Sequence, residues 1–497
     1  MRIPFFGPNY VSRAQIASQT CINLYFEKNE GGSGEEGAYI GTPGTKVAFG
    51  ANNTDIQGPV RGMLEANNSL YIVSGPYLSS VTDVEFSSPT TISTITDGLG
   101  PVSMADNGLQ LAVAHSAGIS VLDYATSVLT LVPDSPVNSI IGYLDSYIVG
   151  TDEKGKFVWS DIGNAAVFGG LSFASAEGSP DDLVSLIVDH RELWLFGKYA
   201  TEVWGTTGNS EEPFSRTGNA FLEHGCMAKF SPAKINNTVI WLGRDANGAG
   251  IVFQASGYSP QRISTHGLEY ELSTYATLED AIGMTYQIEG HAFYVLTFPT
   301  ANKTWMLDFA SGNWTRLAYK YANSGELIRH HMNCIAFFKN KHFIGSWQEG
   351  LIYEYSLKLL TDAPLSDDNL SFYYDSRSHI AIYRERGIVA PSTNNKMARH
   401  NSIELIAEFG VGLDGVLPDV YEESLKRPKV WLERSTDHGR TWVNCGSREL
   451  GEIGKYNTRA IWRRLGLYRH ASYRICQTDP VRCVWYGLEG SGSAVND

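Results

Sequence analysis

The sequence predicts an all-β chain, a seven-bladed β-propeller (six blades is the alternative count) followed by a jelly-roll-like β-sandwich. Three observations lead there. The composition is that of strands and turns, a unit of roughly 40 residues recurs along the first three quarters of the chain, and helical periodicity is nearly absent.

Apolar residues make up 43% of the 497, charged residues only 19%, and Tyr, Phe and Trp 12%, while Gly occupies 50 positions. Aromatic and β-branched side chains suit a half-buried pleated surface, and Gly supplies the positive φ of tight hairpins. A chain this long exceeds what one core supports unless a radial repeat spreads that core over small units.

The units open at Val60-Arg61-Gly62-Met63, Val102-Ser103-Met104-Ala105, Ile140-Ile141-Gly142-Tyr143, Val184-Ser185-Leu186-Ile187, Ala233-Lys234-Ile235, Ala281-Ile282-Gly283-Met284 and Cys334-Ile335-Ala336-Phe337. Each is followed by an apolar second strand, such as Leu70-Tyr71-Ile72-Val73, Leu193-Trp194-Leu195-Phe196 or Val239-Ile240-Trp241-Leu242. Third strands recur at Gly118 to Leu122, Lys156 to Trp159, Thr201 to Trp204, Lys303 to Leu307 and Leu351 to Tyr355. A lone antiparallel blade cannot bury both faces, so such units are stable when they pack in a ring.

Upstream, residues 1–57 read as an extended arm, rich in Gly, Asn and Pro, with the Gly-rich run Gly31 to Gly37 inside it. The seventh unit lacks a good fourth strand of its own, and Thr45-Lys46-Val47-Ala48-Phe49 is expected to supply it. The propeller is placed at 58–360, a polar linker at 361–375 and the sandwich at 376–497. Strands are expected there at Ile380 to Arg384, Ser402 to Phe409, Lys429 to Arg434, Tyr473 to Gln477 and Val481 to Tyr486. One short helix is expected over Leu268 to Leu278.

Several classes of function are disfavoured. A net charge of −14 opposes general affinity for nucleic acid or anionic membrane. There is no apolar run of 18 residues, and Met1 to Arg13 lacks a signal-like apolar core, so a soluble, unexported chain with no membrane partner is expected. The six cysteines show no CxxC spacing, which argues for buried free thiols rather than zinc or a disulfide framework. Adjacent His330 and His331 are read as loop residues, since neighbours on a strand point to opposite faces and do not chelate one ion. With no phosphate loop, nucleophile elbow or His-Glu-x-x-His, no catalytic residue, metal or cofactor is assigned.

Two motifs remain. Ser435, Asp437, Gly439, Thr441 and Trp442 fit the S-x-D-x-G-x-T-W Asp-box of sialidases and related propellers. That box is structural, its Asp accepting backbone N–H groups in a tight hairpin. A catalytic sialidase also needs an arginine cluster and a Tyr nucleophile with an acidic partner, so a non-enzyme is expected. The second motif is a basic stretch containing Arg459, Trp462, Arg463, Arg464, Tyr468 and Arg469, a candidate partner-contact patch. Its competing readings are a charged edge strand and a local DNA contact.

The run Gly454-Lys455-Tyr456-Asn457-Thr458-Arg459-Ala460-Ile461-Trp462-Arg463-Arg464-Leu465-Gly466, ahead of Tyr473-Arg474-Ile475, resembles the packaged-DNA stabilisation proteins, or tail accessory factors, of short-tailed phages. Asn23-Leu24-Tyr25 followed by Gly41-Thr42-Pro43-Gly44-Thr45, and the Met104-Ala105 opening, are similar to the same family. The resemblance implies a virion tail protein assembled in the host cytoplasm, in several copies, commonly six. They bind below the portal and its adaptor ring, helping to retain packaged DNA and supporting fibres, spikes or a needle. The Asp-box departs from the family pattern and leaves those fibre or spike partners open. It also carries the alternative reading, a glycan-binding or glycan-cleaving propeller.

Overall fold

Two-residue turns set the repeat in the computed structural model of the chain, which describes residues 2–7, 9–11, 18–31, 36–50, 58–83, 89–95, 100–152, 155–176, 178, 181–245, 248–321, 324–364, 380–389, 396–412 and 427–495. Asn67-Asn68, Asp145-Ser146, His190-Arg191, Asn236-Asn237, Glu289-Gly290 and Lys339-Asn340 all hold both φ angles between 44° and 85°. Each joins the first two strands of a unit, as Asn67-Asn68 joins Val60–Ala66 to Ser69–Ser74. Paired left-handed residues give a turn whose twist matches that of the flanking strands, which is why Asn, Asp and Gly recur there.

Among the described residues seven four-stranded antiparallel units follow one another, and their first strands coincide with the openings read from the sequence. Second and third strands are buried on both faces between neighbouring sheets; all eight residues of His291–Phe298 are buried. Several fourth strands lie outermost and are largely exposed, as in Thr90–Thr94, Val128–Leu131 and Ser259–Arg262, whereas Asn313–Leu317 of the sixth unit is largely buried. Two third strands, Tyr77–Val81 and Gly250–Ser256, were not singled out in the sequence.

Hydrogen bonds and one ion pair stitch consecutive units. The Val102 N–H donates to the Arg61 carbonyl (3.2 Å), Ile141 N–H to Ser103 Oγ (3.0 Å), and Arg191 Nη2 pairs with Asp145 (2.8 Å). Ser185 Oγ donates to Lys229 O (2.7 Å), Gly283 N–H to Phe230 O (2.8 Å) and His342 Nε2 to Gln287 O (2.9 Å). The last unit meets the first through Asn333 Nδ2 and the Val60 carbonyl (2.8 Å). Phe49, Val60, Ile72, Phe343 and Ile352 share one apolar cluster across that same junction.

The seventh unit takes its fourth strand from upstream. Gly44–Phe49 pairs antiparallel with Ile352–Ser356, setting Thr45 opposite Tyr355 and Phe49 opposite Ile352. The Phe49 and Phe343 rings stack 5.6 Å apart.

Two sheets form the sandwich. One runs Ala460–Tyr468, Ala398–Ala407, Val484–Ala494, Gly37–Gly41, Leu24–Lys28, with Arg2–Ile3 also on Val484–Ala494. The other runs Cys21–Ile22, Arg384–Val389, Ser472–Gln477, Lys429–Ser435, Val443–Glu449. Leu24, Tyr39, Ile403, Leu405, Leu432, Trp462, Ile475 and Trp485 fill the space between them. The segment read as an extended arm therefore supplies strands to the sandwich as well as to the propeller. Leu24 and Tyr39 are its buried apolar anchors, and most of the expected linker, 365–375, lies outside the described residues.

Cys21–Ile22 joins the two parts. Ile22 pairs in parallel with Arg316 of the sixth unit and antiparallel with Glu385 of the sandwich, making one sheet of nine strands. Beside it Asn23, buried with φ 53°, donates from Nδ2 to the carbonyls of Ala318 (2.7 Å) and Tyr383 (2.9 Å), and its Oδ1 accepts the Ala318 N–H (2.9 Å). One amide side chain is thus bonded to propeller and sandwich together.

The single helix among the described residues, His266–Leu272, is shorter than expected. Thr265 caps its start, accepting the Leu268 N–H. At the other end Ser273 and Thr274 hydroxyls donate to the carbonyls of Tyr270 and Glu271 (2.7 Å each), which ends the helix before Leu278.

Next to the closing strand a carboxyl is buried. Asp362 accepts from Thr45 Oγ1 (3.1 Å), and Thr45 Oγ1 in turn accepts the Ala363 N–H (2.9 Å). Burial pushes Asp362 up to about 7, against a smaller opposing pull from Thr45 and from the buried Arg384 guanidinium.

Three outcomes follow from this arrangement. Asn23→Ala leaves two carbonyls and an N–H unpaired in the interior and removes the side-chain bonds that favour Asn at its positive φ; it is expected to cost about 2–4 kcal/mol, read as a lowered denaturant midpoint. An unchanged midpoint would show that Asn23 is not the tie. Deleting residues 1–50 removes strands from both parts, so the product should aggregate rather than elute as a monomer in size exclusion. Asp362 is raised above its unfolded value, so the native state holds the extra proton between about pH 4 and 7 and this group lowers stability as pH rises through that window. The melting temperature of Asp362→Asn relative to the parent should therefore climb between pH 5 and 8; a pH-independent difference would exclude the effect.

Candidate functional site

The Asp-box hairpin connects Lys429–Ser435 to Val443–Glu449. Ser435 Oγ accepts the Gly439 N–H (2.8 Å) and donates to Asp437 Oδ1 (2.7 Å). Asp437 accepts the Thr441 N–H on Oδ1 (2.9 Å) and the Thr441 hydroxyl on Oδ2 (2.6 Å), and these bonds hold its carboxyl well below the usual range. His438 and Gly439 sit at φ 61° and 88°, and Trp442 Nε1 donates to the Gly439 carbonyl (3.1 Å). The Arg474 guanidinium covers the Trp442 ring at 4.4 Å and is itself paired with Glu433. Both Asp437 oxygens are thus engaged inside the hairpin, and the Trp442 face is stacked by a protein cation.

The basic stretch forms Ala460–Tyr468, the outermost strand of its sheet. Alternation sends Ala460 and Trp462 into the core; Trp462 is 0% exposed, with Nε1 donating to the Gly446 carbonyl (2.7 Å). It is a packing residue and not a surface contact. Tyr468 is half-buried beneath the Arg434 guanidinium (4.6 Å). Arg459 is exposed but engaged, its fork meeting Glu404 at 2.7 and 2.6 Å.

Arg463 and Arg464 are exposed, and neither forms an ion pair with a described residue. Arg469 is exposed in the turn before Ser472–Gln477. The register slips beside Arg464, which holds φ 59°, a bulge in the strand. On the outer edge, the carbonyls of Ile461 and Leu465 are taken by Arg448 Nε and Arg434 Nη1 (2.6 Å each). The arginine-capped edge is thereby closed to a further strand.

A groove of about 810 Å³ lies over this strand and its neighbour, lined by Arg399, Ser402, Glu404, Arg463, Arg464 and Leu467. Arg399 and Ser402 were not singled out in the sequence. They belong to the polar start of Ala398–Ala407, and only the pairing of Arg399 with Leu467 and of Ser402 with Arg463 brings them to the basic strand.

Elsewhere most of the titratable groups that the sequence singled out are buried. His330 and His331 lie outside any strand but are buried; His331 packs against Tyr319 and Tyr353, and burial brings His330 down to about 4. All six cysteines are free, and burial pushes the Cys226 thiol up to about 11. Met63, Met104, Ile282, Met284 and Ile335, from the first strands of four units, meet around one small pocket that Arg61 and Asn333 also line. Among the described residues no group of three or more His, Cys, Asp or Glu is arranged to hold a metal ion, and no helix is long and apolar enough to cross a membrane.

Two solved structures illustrate the level of similarity found. The WD40 β-propeller domain of Doa1 is 9% identical, with 63% of this chain and 97% of that one covered and a TM-score of 0.38. The N-terminal domain of Nup159 is 10% identical, with 68% and 99% covered and the same TM-score of 0.38. No curated protein sequence matches. Residues 1–359 match the family model described as the beta-propeller of bacteriophage P22 Gp10, and residues 385–491 the one described as its beta-sandwich. Matched in order over both of its parts, the chain belongs to the bacteriophage P22 Gp10 family, the packaged-DNA stabilisation family of podoviruses.

Proposed function

We propose that this chain is a tail component of a phage virion, docked below the portal and its adaptor ring, that helps retain packaged DNA and supports fibres, spikes or a needle without catalysing a reaction. The observation that carries the reading is the match of both domains, propeller and sandwich, to one family of virion stabilisation proteins. The site chemistry is consistent with it. The strongest sequence motif is spent on a hairpin, and the buried titratable groups are packed in cores rather than facing a cleft.

On this reading the seven units act as the blades of one ring, and the division into 1–57, 58–360, 361–375 and 376–497 describes its working parts. The first part serves both bodies. Assembly in the host cytoplasm into a ring of copies, six by family resemblance, completes the proposal. With a net charge of −14, that ring would form on a tail already in place.

Infection with a phage lacking this chain should fill heads that then lose their DNA, measured as nuclease-sensitive genomes in purified particles. DNA-filled, infectious particles made without it would refute the assignment.

A further inference from the structure

The geometry points to the outer face of Ala398–Ala407 and Ala460–Tyr468 as a docking surface for a carboxylate-bearing protein other than this chain, an inference that rests on the virion reading above. Pairing sets Arg463, Ser402 and Ser491 in one row across three strands, with the two serine hydroxyls 2.8 Å apart. The row of Leu467, Arg399 and Ser493 lies farther along the same strands, and the bulged Arg464 stands between the rows. None of Arg399, Arg463 and Arg464 forms an ion pair with a described residue, and Glu404, the one carboxylate among the described residues of the groove, is held by Arg459. Three guanidinium groups are thus collected on one face of a chain of net charge −14.

The partner's chemistry follows from what surrounds them. Strand addition is closed off by Arg448 and Arg434 on the edge carbonyls. On the side away from Leu467 the next row is Ile461, Glu404 and Glu489, so a continuous phosphate backbone would run from arginines onto carboxylates. Arginine forks beside serine hydroxyls and an exposed leucine (Leu467, 41% exposed) make a surface suited to bidentate carboxylates and apolar contact, which is protein recognition. A second copy joined symmetrically through this face would set the same three guanidinium groups against one another.

The test replaces Leu467 with p-benzoylphenylalanine in the full-length chain, supplies it during infection, irradiates purified particles and identifies the attached peptide by mass spectrometry. The expected product joins an Asp- or Glu-rich segment of a different virion protein. Its yield should fall about tenfold or more when Arg399, Arg463 and Arg464 are all changed to Glu in a protein whose melting temperature is unchanged; should the triple variant melt early, Arg463→Glu alone serves. Attachment to a copy of this chain, to DNA or to a segment poor in carboxylates overturns the inference, as does a yield indifferent to charge reversal or no adduct in particles that contain the chain. Particles that lack the chain altogether overturn instead the virion reading beneath it.

Discussion

Residues 21 to 23 carry the constraint on which the architecture depends. Ile22 lies between the sixth unit and the sandwich as a strand of both, and the Asn23 amide is bonded to each side. A left-handed Asn is what makes this possible. Its backbone turns the chain from one pairing to the next, while its side chain offers donor and acceptor together, which Gly at the same φ could not do. From there the chain makes two sandwich strands and enters the propeller at Gly44.

The propeller's inter-unit contacts explain an oddity in its turns. Left-handed φ costs a non-glycine residue about 1–2 kcal/mol, and Asn, Asp or Gly are the usual occupants. His190, Arg191 and Lys339 occupy such positions all the same. Each reaches a neighbouring unit's turn: Arg191 meets Asp145, His190 meets Asn237 at 2.6 Å, and Lys339 meets Asn68 at 3.1 Å. Each of these left-handed positions thus carries an inter-unit contact that a shorter side chain could not make.

Legibility in the sequence tracks burial. The second strands and most of the third, apolar on both faces, stand out as short continuous runs, and the first strands are marked by the turn that follows them. Gly44–Phe49 was legible by elimination, because a seventh unit short of one strand needed an upstream donor. Most other outer strands were not legible. Val443–Glu449 is polar and largely exposed, so it carries no alternation to read. Trp462 misled for the opposite reason: flanked by exposed arginines it resembles a surface aromatic, and only the inward alternation of its strand reveals it as core. The Asp-box was legible to the level of its hairpin bonds, since its residues are local to one another, whereas the groove needed Arg399, some 60 residues upstream, to be paired with its strand.

The order of synthesis gives the closing strand a second significance. Gly44–Phe49 is made some 300 residues before its partner Ile352–Ser356. At translation rates of about 5–20 residues per second, that is roughly 15–60 s during which the strand has no edge to pair with. The sandwich waits longer still, because Leu24–Lys28 and Gly37–Gly41 join a sheet completed by Val484–Ala494 at the far end of the chain. The propeller can therefore reach its native strand set once Ile352–Ser356 has been made, and the sandwich only once Val484–Ala494 has followed. The propeller edge can thus be closed while the sandwich still waits for its last strand, so the two parts of one chain become complete at different times.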